Sequence, residues 1–167
     1  MELIHIAAVC PSFGLGANNQ LLYRNKDDLK RFKAMTNGYT VVMGRKTFES
    51  LGNQELPNRL NLVVSRNNEL GTDLAEIRYV LKAFEALGTP RVQKVFIIGG
   101  GEIYRQTMSW VDRIELTEFV DPPAQPADVF YPAIDQTLFE LAKSVPLYQE
   151  DDPGKLVLRY NTYLRKR

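Results

Sequence analysis

Tyr23-Arg24-Asn25-Lys26-Asp27-Asp28-Leu29-Lys30-Arg31-Phe32-Lys33 is the stretch on which the reading of this chain turns. Asn25 is a strong helix N-cap, and neither glycine nor proline interrupts the run to Thr36, so a helix is predicted to begin here. At about 100° per residue, Asp28 shares a sector with Phe32, Met35 and Thr36, with Leu29 at its edge. Asp27 falls on the other side, one turn before Arg31, where an exposed ion pair is predicted. Asp28 also lies three residues after Asn25, where an acid closes a capping box and suits the helix dipole. Two readings of Asp28 stand side by side at this point: a cap, or a carboxylate turned into an apolar face.

The chain around this helix is ordinary in bulk. Its 167 residues are most simply one domain, 44% hydrophobic and 25% charged, and large enough to bury a core without metals or disulfides. A formal net charge of +1 provides no electrostatic footprint for nucleic acid or an anionic membrane. The single cysteine, Cys10, forms no internal disulfide, fits a reducing cytosol and is expected to fill core space. No zinc-type cysteine or histidine spacing occurs, and no metal site is predicted.

Moving outward, residues 3–9 are almost continuously apolar, as in a central strand covered on both faces; the run is too short to span a bilayer and lacks a basic leader. Residues 11–19 read as a mobile loop leading into the Asp28 helix. A second strand, 40–43, is closed by Gly44, and 45–52 reads as a short helix ending at Gly52. Its first turn holds Arg45 and Lys46, cations at a positive dipole end, a misfit unless an anion binds there. A third strand, 60–65, leads to Arg66 at its carboxyl end, where ligands bind in open α/β sheets. Residues 67–76 read as loop. Leu81, Phe84 and Leu87 form a helical stripe packed on the sheet, ended by Gly88 and Pro90. A buried strand, 94–98, runs into Gly99-Gly100-Gly101 and a helix starting Glu102-Ile103-Tyr104, the geometry in which backbone approaches a pyrophosphate. A tight turn that needs glycine torsions explains the same pattern. Residues 113–120 form a strand carrying Thr117, and 121–128 a proline-stiffened loop. Residues 138–142 and 156–164 read as arms of a hairpin turning at 151–154, with Leu156, Leu158, Tyr160, Thr162 and Leu164 on a core face. The alternation predicts an α/β fold: a doubly wound, mostly parallel sheet of about eight strands, with flanking helices and a C-terminal antiparallel hairpin.

Seven stretches in order resemble the dihydrofolate reductase family: Ile6-Ala7-Ala8; Leu15-Gly16; Asp28-Leu29 with Phe32-Lys33; residues 42–50; Leu56-Pro57 with Arg59; Ile98-Gly99-Gly100-Gly101 with Ile103-Tyr104; and Thr117 with Asp128. The resemblance covers nearly the whole chain and favours the functional reading of Asp28. It implies reduction of 7,8-dihydrofolate to tetrahydrofolate with NADPH, by a cytoplasmic, monomeric enzyme of one-carbon metabolism and an antifolate target. Asp28 would grip the pterin and favour protonation of its ring imine, with Thr117 orienting the carboxylate. Ile6, Ala8, Leu29, Phe32, Leu51 and Ile98 would wall the substrate, and Arg59 would hold its glutamate carboxylate. On the cofactor side, Ala8, Leu15 and Tyr104 would border the nicotinamide. Gly44, Thr47, Gly99, Gly100, Gly101, Glu102 and Ile103 would line the phosphates. Arg45, Lys46 and Arg66 would gather the 2′-phosphate, and Ser65 belongs to the same cofactor-binding set. A cis peptide is implied at Gly99-Gly100. The family's Pro-Trp before the helix is Leu22-Tyr23 here, so Tyr23 stands in the catalytic set without the indole donor.

Two other readings are open. A riboflavin-pathway-type pyrimidine reductase shares this architecture, although Arg59 beside an apolar groove has no benzoylglutamate to meet there. A non-catalytic module that holds a nicotinamide nucleotide would have no use for Asp28 with Thr117.

Overall fold

A computed structural model describes residues 1–167 apart from Asn68 and Leu70. In chain order the elements are β1 (Glu2–Val9), β2 (Gly14–Ala17), β3 (Gln20–Leu21), α1 (Lys26–Thr36), β4 (Thr40–Gly44), α2 (Arg45–Ser50), β5 (Leu60–Val64), α3 (Leu74–Ala86), β6 (Lys94–Ile97), α4 (Gly101–Thr107), β7 (Arg113–Phe119), β8 (Val129–Phe130), β9 (Phe139–Gln149) and β10 (Asp152–Arg165). Among the described residues the main sheet has seven strands, ordered β5-β4-β6-β1-β7-β10-β9. The pairs from β5 across to β7 are parallel, and β10 is antiparallel to both its neighbours. The mixed α/β architecture expected from the sequence is therefore the one found.

Strand alternation sorts the core into two layers. Ile4 and Ile6 of β1, Val41 and Met43 of β4, and Phe96 of β6 share one face with Phe32 and Met35 of α1 and Phe48 of α2. Ala7 and Val9, Val42, Val95 and Ile97 share the other with Ile77 and Leu81 of α3 and Ile103 and Tyr104 of α4. β7 follows the same rule: Ile114 and Leu116 enter the second layer, while Glu115 and Thr117, also buried, face α1. That parity places Asp28 and Thr117 on one side of one strand.

Several sequence expectations change. Much of 11–19 is strand, because β2 pairs with β3 and with β8 in a separate three-stranded sheet. The Asp128 carboxylate also takes the Asn18 N–H at 2.9 Å, and the Asp128 N–H donates to the Gly16 carbonyl at 3.0 Å. The loop predicted over 67–76 ends early, because Asp73 caps α3 by accepting from the Glu76 N–H at 2.9 Å. The part of that loop at Asn68 and Leu70 lies outside the described residues. Leu87 leaves the predicted stripe; it is the C-cap of α3 and 79% exposed, and Ile77 holds the buried position instead. The hairpin arms are longer than predicted, and the turn tightens to Glu150 and Asp151. On β10 the supposed core face is buried only at Leu158, half-buried at Tyr160 and Thr162 and exposed at Leu164, whereas Tyr163 on the opposite face packs on the larger cluster. Register shifts along β9–β10 break a strict alternation.

Candidate active site

α1 begins where its composition predicted. The Asn25 side chain accepts from the backbone N–H groups of Asp27 and Asp28, both at 3.0 Å. With the cap supplied by Asn25, the Asp28 carboxylate is free for other work, and it takes the Thr117 hydroxyl proton at 2.6 Å. This is a short, charge-assisted hydrogen bond across 89 residues of sequence. Burial pushes the Asp28 carboxyl above the usual aspartate range, against the Thr117 hydrogen bond and the nearby Arg31 charge, which both pull it down. A capping role is thus set aside: Asp28 is a half-buried carboxylate anchored to the sheet.

Arg31 does not pair with Asp27 as expected. Its NH2 group meets the Glu115 Oε2 at 2.6 Å, and Asp27 lies exposed. A partly buried carboxylate outcompetes an exposed one because its ion pair is less screened by water. Glu115 was not singled out in the sequence, although its position two residues before Thr117 on one strand puts both on the α1 face.

Of the residues expected to wall a substrate, Ile6 is buried and packs in one layer with the half-buried Phe32 and Ile98; Ala8 is half-buried, and Leu29 and Leu51 are exposed at 51% and 37%. The Arg59 guanidinium lies 5.8 Å from the Phe32 ring centroid. Arg59 is only 8% exposed; its Nε donates to the Thr36 hydroxyl at 2.8 Å and its NH1 to the Pro57 carbonyl at 2.7 Å. Thr36 is a second residue that the sequence placed only on the apolar sector. Its own proton goes to the Phe32 carbonyl at 2.8 Å, so its oxygen is left to accept from Arg59. The guanidinium is aimed by these two bonds and retains further N–H groups for a carboxylate.

Tyr23 is placed differently from the expectation of a group serving the reacting ring. Its hydroxyl donates to the Asp121 carbonyl at 2.6 Å and its ring stacks on Phe119 at 4.0 Å between centroids. Burial pushes this phenol up to about 12, aided by the charges of Cys10 and Asp121. The one proton Tyr23 can donate is therefore engaged, and the residue ties the segment before α1 to the segment after β7.

The glycine turn lies across β1 from Thr117. Gly99-Gly100 is a cis peptide, at the position the resemblance implied. The Gly44 N–H donates to the Gly99 carbonyl at 2.7 Å, joining the ends of β4 and β6. α2 begins on Gly44 and α4 on Gly100, and neither start has a side-chain cap, in contrast to α1 and α3. The two starts are neighbours, a Cβ on Gly44 lying 3.8 Å from the Gly100 nitrogen, and their N–H groups have no side-chain cap, a donor set suited to phosphates. The Thr47 hydroxyl stands beside both glycines, 3.6 Å and 3.5 Å from where their Cβ atoms would lie. At Gly101 a Cβ would meet the Phe130 carbonyl at 2.8 Å, so a side chain is excluded there. Leu15 is half-buried, Ile103 and Tyr104 are buried, and the Tyr104 hydroxyl donates to the Ile6 carbonyl at 2.6 Å.

Of the cations, Lys46 and Arg66 are exposed, and Ser65 is buried between β5 and Arg66. Arg45 pairs with Glu49 one turn along, which relieves part of its misfit at the helix start. Glu102 opens α4 with Arg105 and Gln106 on its carboxylate; these bonds, with Arg66 nearby, draw its carboxyl down to about 2. Among the described residues no His/Cys/Asp/Glu cluster could hold a metal ion, and no helix is long and apolar enough to cross a membrane.

Comparison with known proteins follows the same lines. A family profile described as "Dihydrofolate reductase" matches residues 2–165. The chain is 35% identical over 162 residues to the dihydrofolate reductase type 3 of Salmonella typhimurium, covering 97% of each. It is 36% identical over 104 residues to a bifunctional dihydrofolate reductase-thymidylate synthase of Paramecium tetraurelia, a match that spans 62% of this chain and 22% of that longer protein. The solved dihydrofolate reductase from Enterococcus faecalis, complexed with NADP(H) and RAB-propyl, superposes with a TM-score of 0.82 at 27% identity, covering 99% of this chain and 97% of that one. A profile match over nearly the full length, on a fold that sets the Asp28–Thr117 pair and the glycine turn on the two strands flanking β1, means that this chain belongs to the dihydrofolate reductase family.

Proposed function

We propose that this chain reduces 7,8-dihydrofolate to 5,6,7,8-tetrahydrofolate with NADPH. The observation that carries the reading is the Asp28 carboxylate, raised by burial and fixed by Thr117 at 2.6 Å. A flat heterocycle with an amidine-like edge presents two N–H groups to such a carboxylate, and its ring would cover Phe32 and Leu29 beside the pair. As the ring imine nitrogen takes up a proton, positive charge builds on the heterocycle, and the Asp28 charge stabilises it. Thr117 holds the carboxylate in register for this. Gly99, Gly100 and Gly101, with Leu15, Ala8, Ile103 and Tyr104, would hold NADPH, which would supply the hydride. The uncapped starts of α2 and α4, with Thr47 and Glu102 at their edges, would take its diphosphate, and Arg45, Lys46, Ser65 and Arg66 would take its 2′-phosphate.

Arg59 takes the substrate's glutamate carboxylate by its forked N–H groups. Arg59→Lys should raise the KM for dihydrofolate by about tenfold or more and leave kcat nearly unchanged, because a lysine cannot keep the Thr36 and Pro57 contacts and bind bidentately as well. A lowered kcat at unchanged KM would remove Arg59 from the substrate site. Arg66→Ser should weaken NADPH about tenfold, the value of one charge-assisted bond, and leave NADH binding alone, as read by fluorescence titration of both nucleotides.

The direct test mixes protein, NADPH and dihydrofolate and follows the loss of nicotinamide absorbance, with a ribosylaminopyrimidine as the competing substrate. Turnover of the pyrimidine alone would refute the proposal. The reading extends to a single-domain, monomeric, cytoplasmic enzyme of one-carbon metabolism that antifolates inhibit. Its support is the near-neutral charge and the one buried cysteine, and sedimentation velocity tests the monomer.

A further inference from the structure

The Asp28 site is backed by an ion-pair cluster that the reaction itself does not call for. Glu115 is 5% exposed and lies on the same face of β7 as Thr117. Its Oε2 meets the Arg31 NH2 at 2.6 Å and accepts from the Thr162 hydroxyl at 2.9 Å; its Oε1 lies 3.2 Å from the Arg113 Nε. Arg113 reaches on to Glu2 at 3.3 Å. The Arg31 guanidinium is also laid over the Tyr160 ring, 4.6 Å from its centroid. Arg31 is one turn along α1 from Asp28, and Glu115 is two residues from Thr117. The helix and the strand are thus joined twice in parallel, once by the catalytic pair and once by this ion pair.

We infer that Arg31, clamped between Glu115 and Tyr160, is a positioning residue whose fixed cation sets the protonation behaviour of Asp28. The inference rests on the function proposed above, with Asp28 as the group that meets the pterin. The groups facing Asp28 are few. From α1 they are Asp27, exposed and turned away, and Arg31; from β7, Glu115 and Thr117, with Arg113 behind them; from β10, Tyr160. β1 offers Ile4, Ile6 and Ala8 on this face, with Glu2 at its start, held by Arg113 at 3.3 Å. Glu115 is already shared by two arginines, so the cation left to act on Asp28 is Arg31. Its effect opposes burial, and the same proximity is felt at Tyr160, whose phenol is raised by burial first and by Asp28 next. A free arginine would sample many rotamers and be screened by water; one held by a buried carboxylate and an aromatic face is not.

The test uses ligand-free protein carrying ¹³C-carboxyl aspartate, with Asp28 assigned by its loss in Asp28→Asn. In Arg31→Met the Asp28 titration should move to higher pH, because a cation that favoured the ionised form is gone; in Arg31→Lys it should stay near wild type. Arg31→Met leaves the buried Glu115 short of a partner, so Arg31→Met with Glu115→Gln is measured beside it and should also titrate higher. The pH profile of kcat/KM for dihydrofolate should move in the same sense. An unmoved titration in either apolar variant overturns the inference, and so does an Arg31→Lys titration displaced as far as that of Arg31→Met. Failure of the wild type to reduce dihydrofolate, with the titrations behaving as described, would instead refute the proposed function and leave the electrostatic coupling standing.

Discussion

Asp28→Asn is expected to lower kcat/KM for dihydrofolate about 10²- to 10³-fold at pH 7 and to leave NADPH affinity nearly unchanged. The substitution is close to isosteric, and the asparagine oxygen can still accept the Thr117 hydroxyl now held at 2.6 Å. What disappears is the charge, at a half-buried position where the lower local dielectric strengthens it. Protonation of the ring imine then proceeds without a counter-charge, and the loss falls on the transition state more than on binding. Stability should not fall, because burial already disfavours the ionised carboxyl at this position. Three measurements read this out: single-turnover hydride transfer, NADPH fluorescence titration and thermal unfolding. Equal losses of turnover and NADPH affinity would show that Asp28 supports the fold of the site rather than the reaction.

Much of this site is legible from local chemistry. Asn25 caps α1 because a short side-chain oxygen before an uninterrupted run has few other outcomes, and helical periodicity then turns Asp28 inward. The glycines at 99–101 mark a backbone turn between β6 and α4 for the same kind of reason. Tertiary competition is where local reasoning fails. Arg31 has a suitable partner four residues back in Asp27, yet a buried glutamate 84 residues away on β7 holds it. Nothing local distinguishes Glu115 from any other charged strand residue; only the parity it shares with Thr117 links it to α1. β2 is too short and glycine-rich to announce itself, and one of its two partners, β8, lies more than a hundred residues downstream. Leu87 fits the helical stripe by spacing, but the helix ends at Ala86, and a C-cap residue no longer follows its periodicity. Tyr23 shows the same limit. Its ring and hydroxyl could be read from the sequence, but that both are taken up by Phe119 and Asp121 could not.

His5 is expected to make the protein acid-labile, with stability falling from about pH 6.5 downward. The ring is fully buried on the sheet face away from Asp28, with Tyr104 and Tyr131 edge-on to it at 5.0 Å and 5.8 Å. Its tautomer follows from its neighbours. The Thr107 hydroxyl spends its proton on the Ile103 carbonyl at 2.6 Å, so it accepts from His5 Nε2–H at 2.8 Å. Nδ1 is left bare and accepts the Tyr131 hydroxyl at 2.7 Å. The ring is thus satisfied as a neutral species, and burial without a counter-charge draws its pKa from 6.5 down to about 3. Because the folded value is the lower one, the unfolded chain binds the proton first. Stability linked to His5 is fully present above pH 6.5 and is lost as pH falls toward 3. At about 1.4 kcal/mol per pH unit the whole interval amounts to roughly 5 kcal/mol, comparable with the entire stability of a small domain. Urea unfolding of wild type and His5→Asn at pH 6.5 and 4.5 isolates this contribution, since the carboxylates common to both cancel. The variant should start lower by about 1–3 kcal/mol, its amide being a poorer fit to Thr107 and Tyr131. Between the two pH values wild type should then lose about 2–3 kcal/mol more than the variant. Parallel losses would mean that His5 takes up its proton within the folded protein, with Tyr131 turning its hydroxyl to accept, and that acid sensitivity originates elsewhere in the chain.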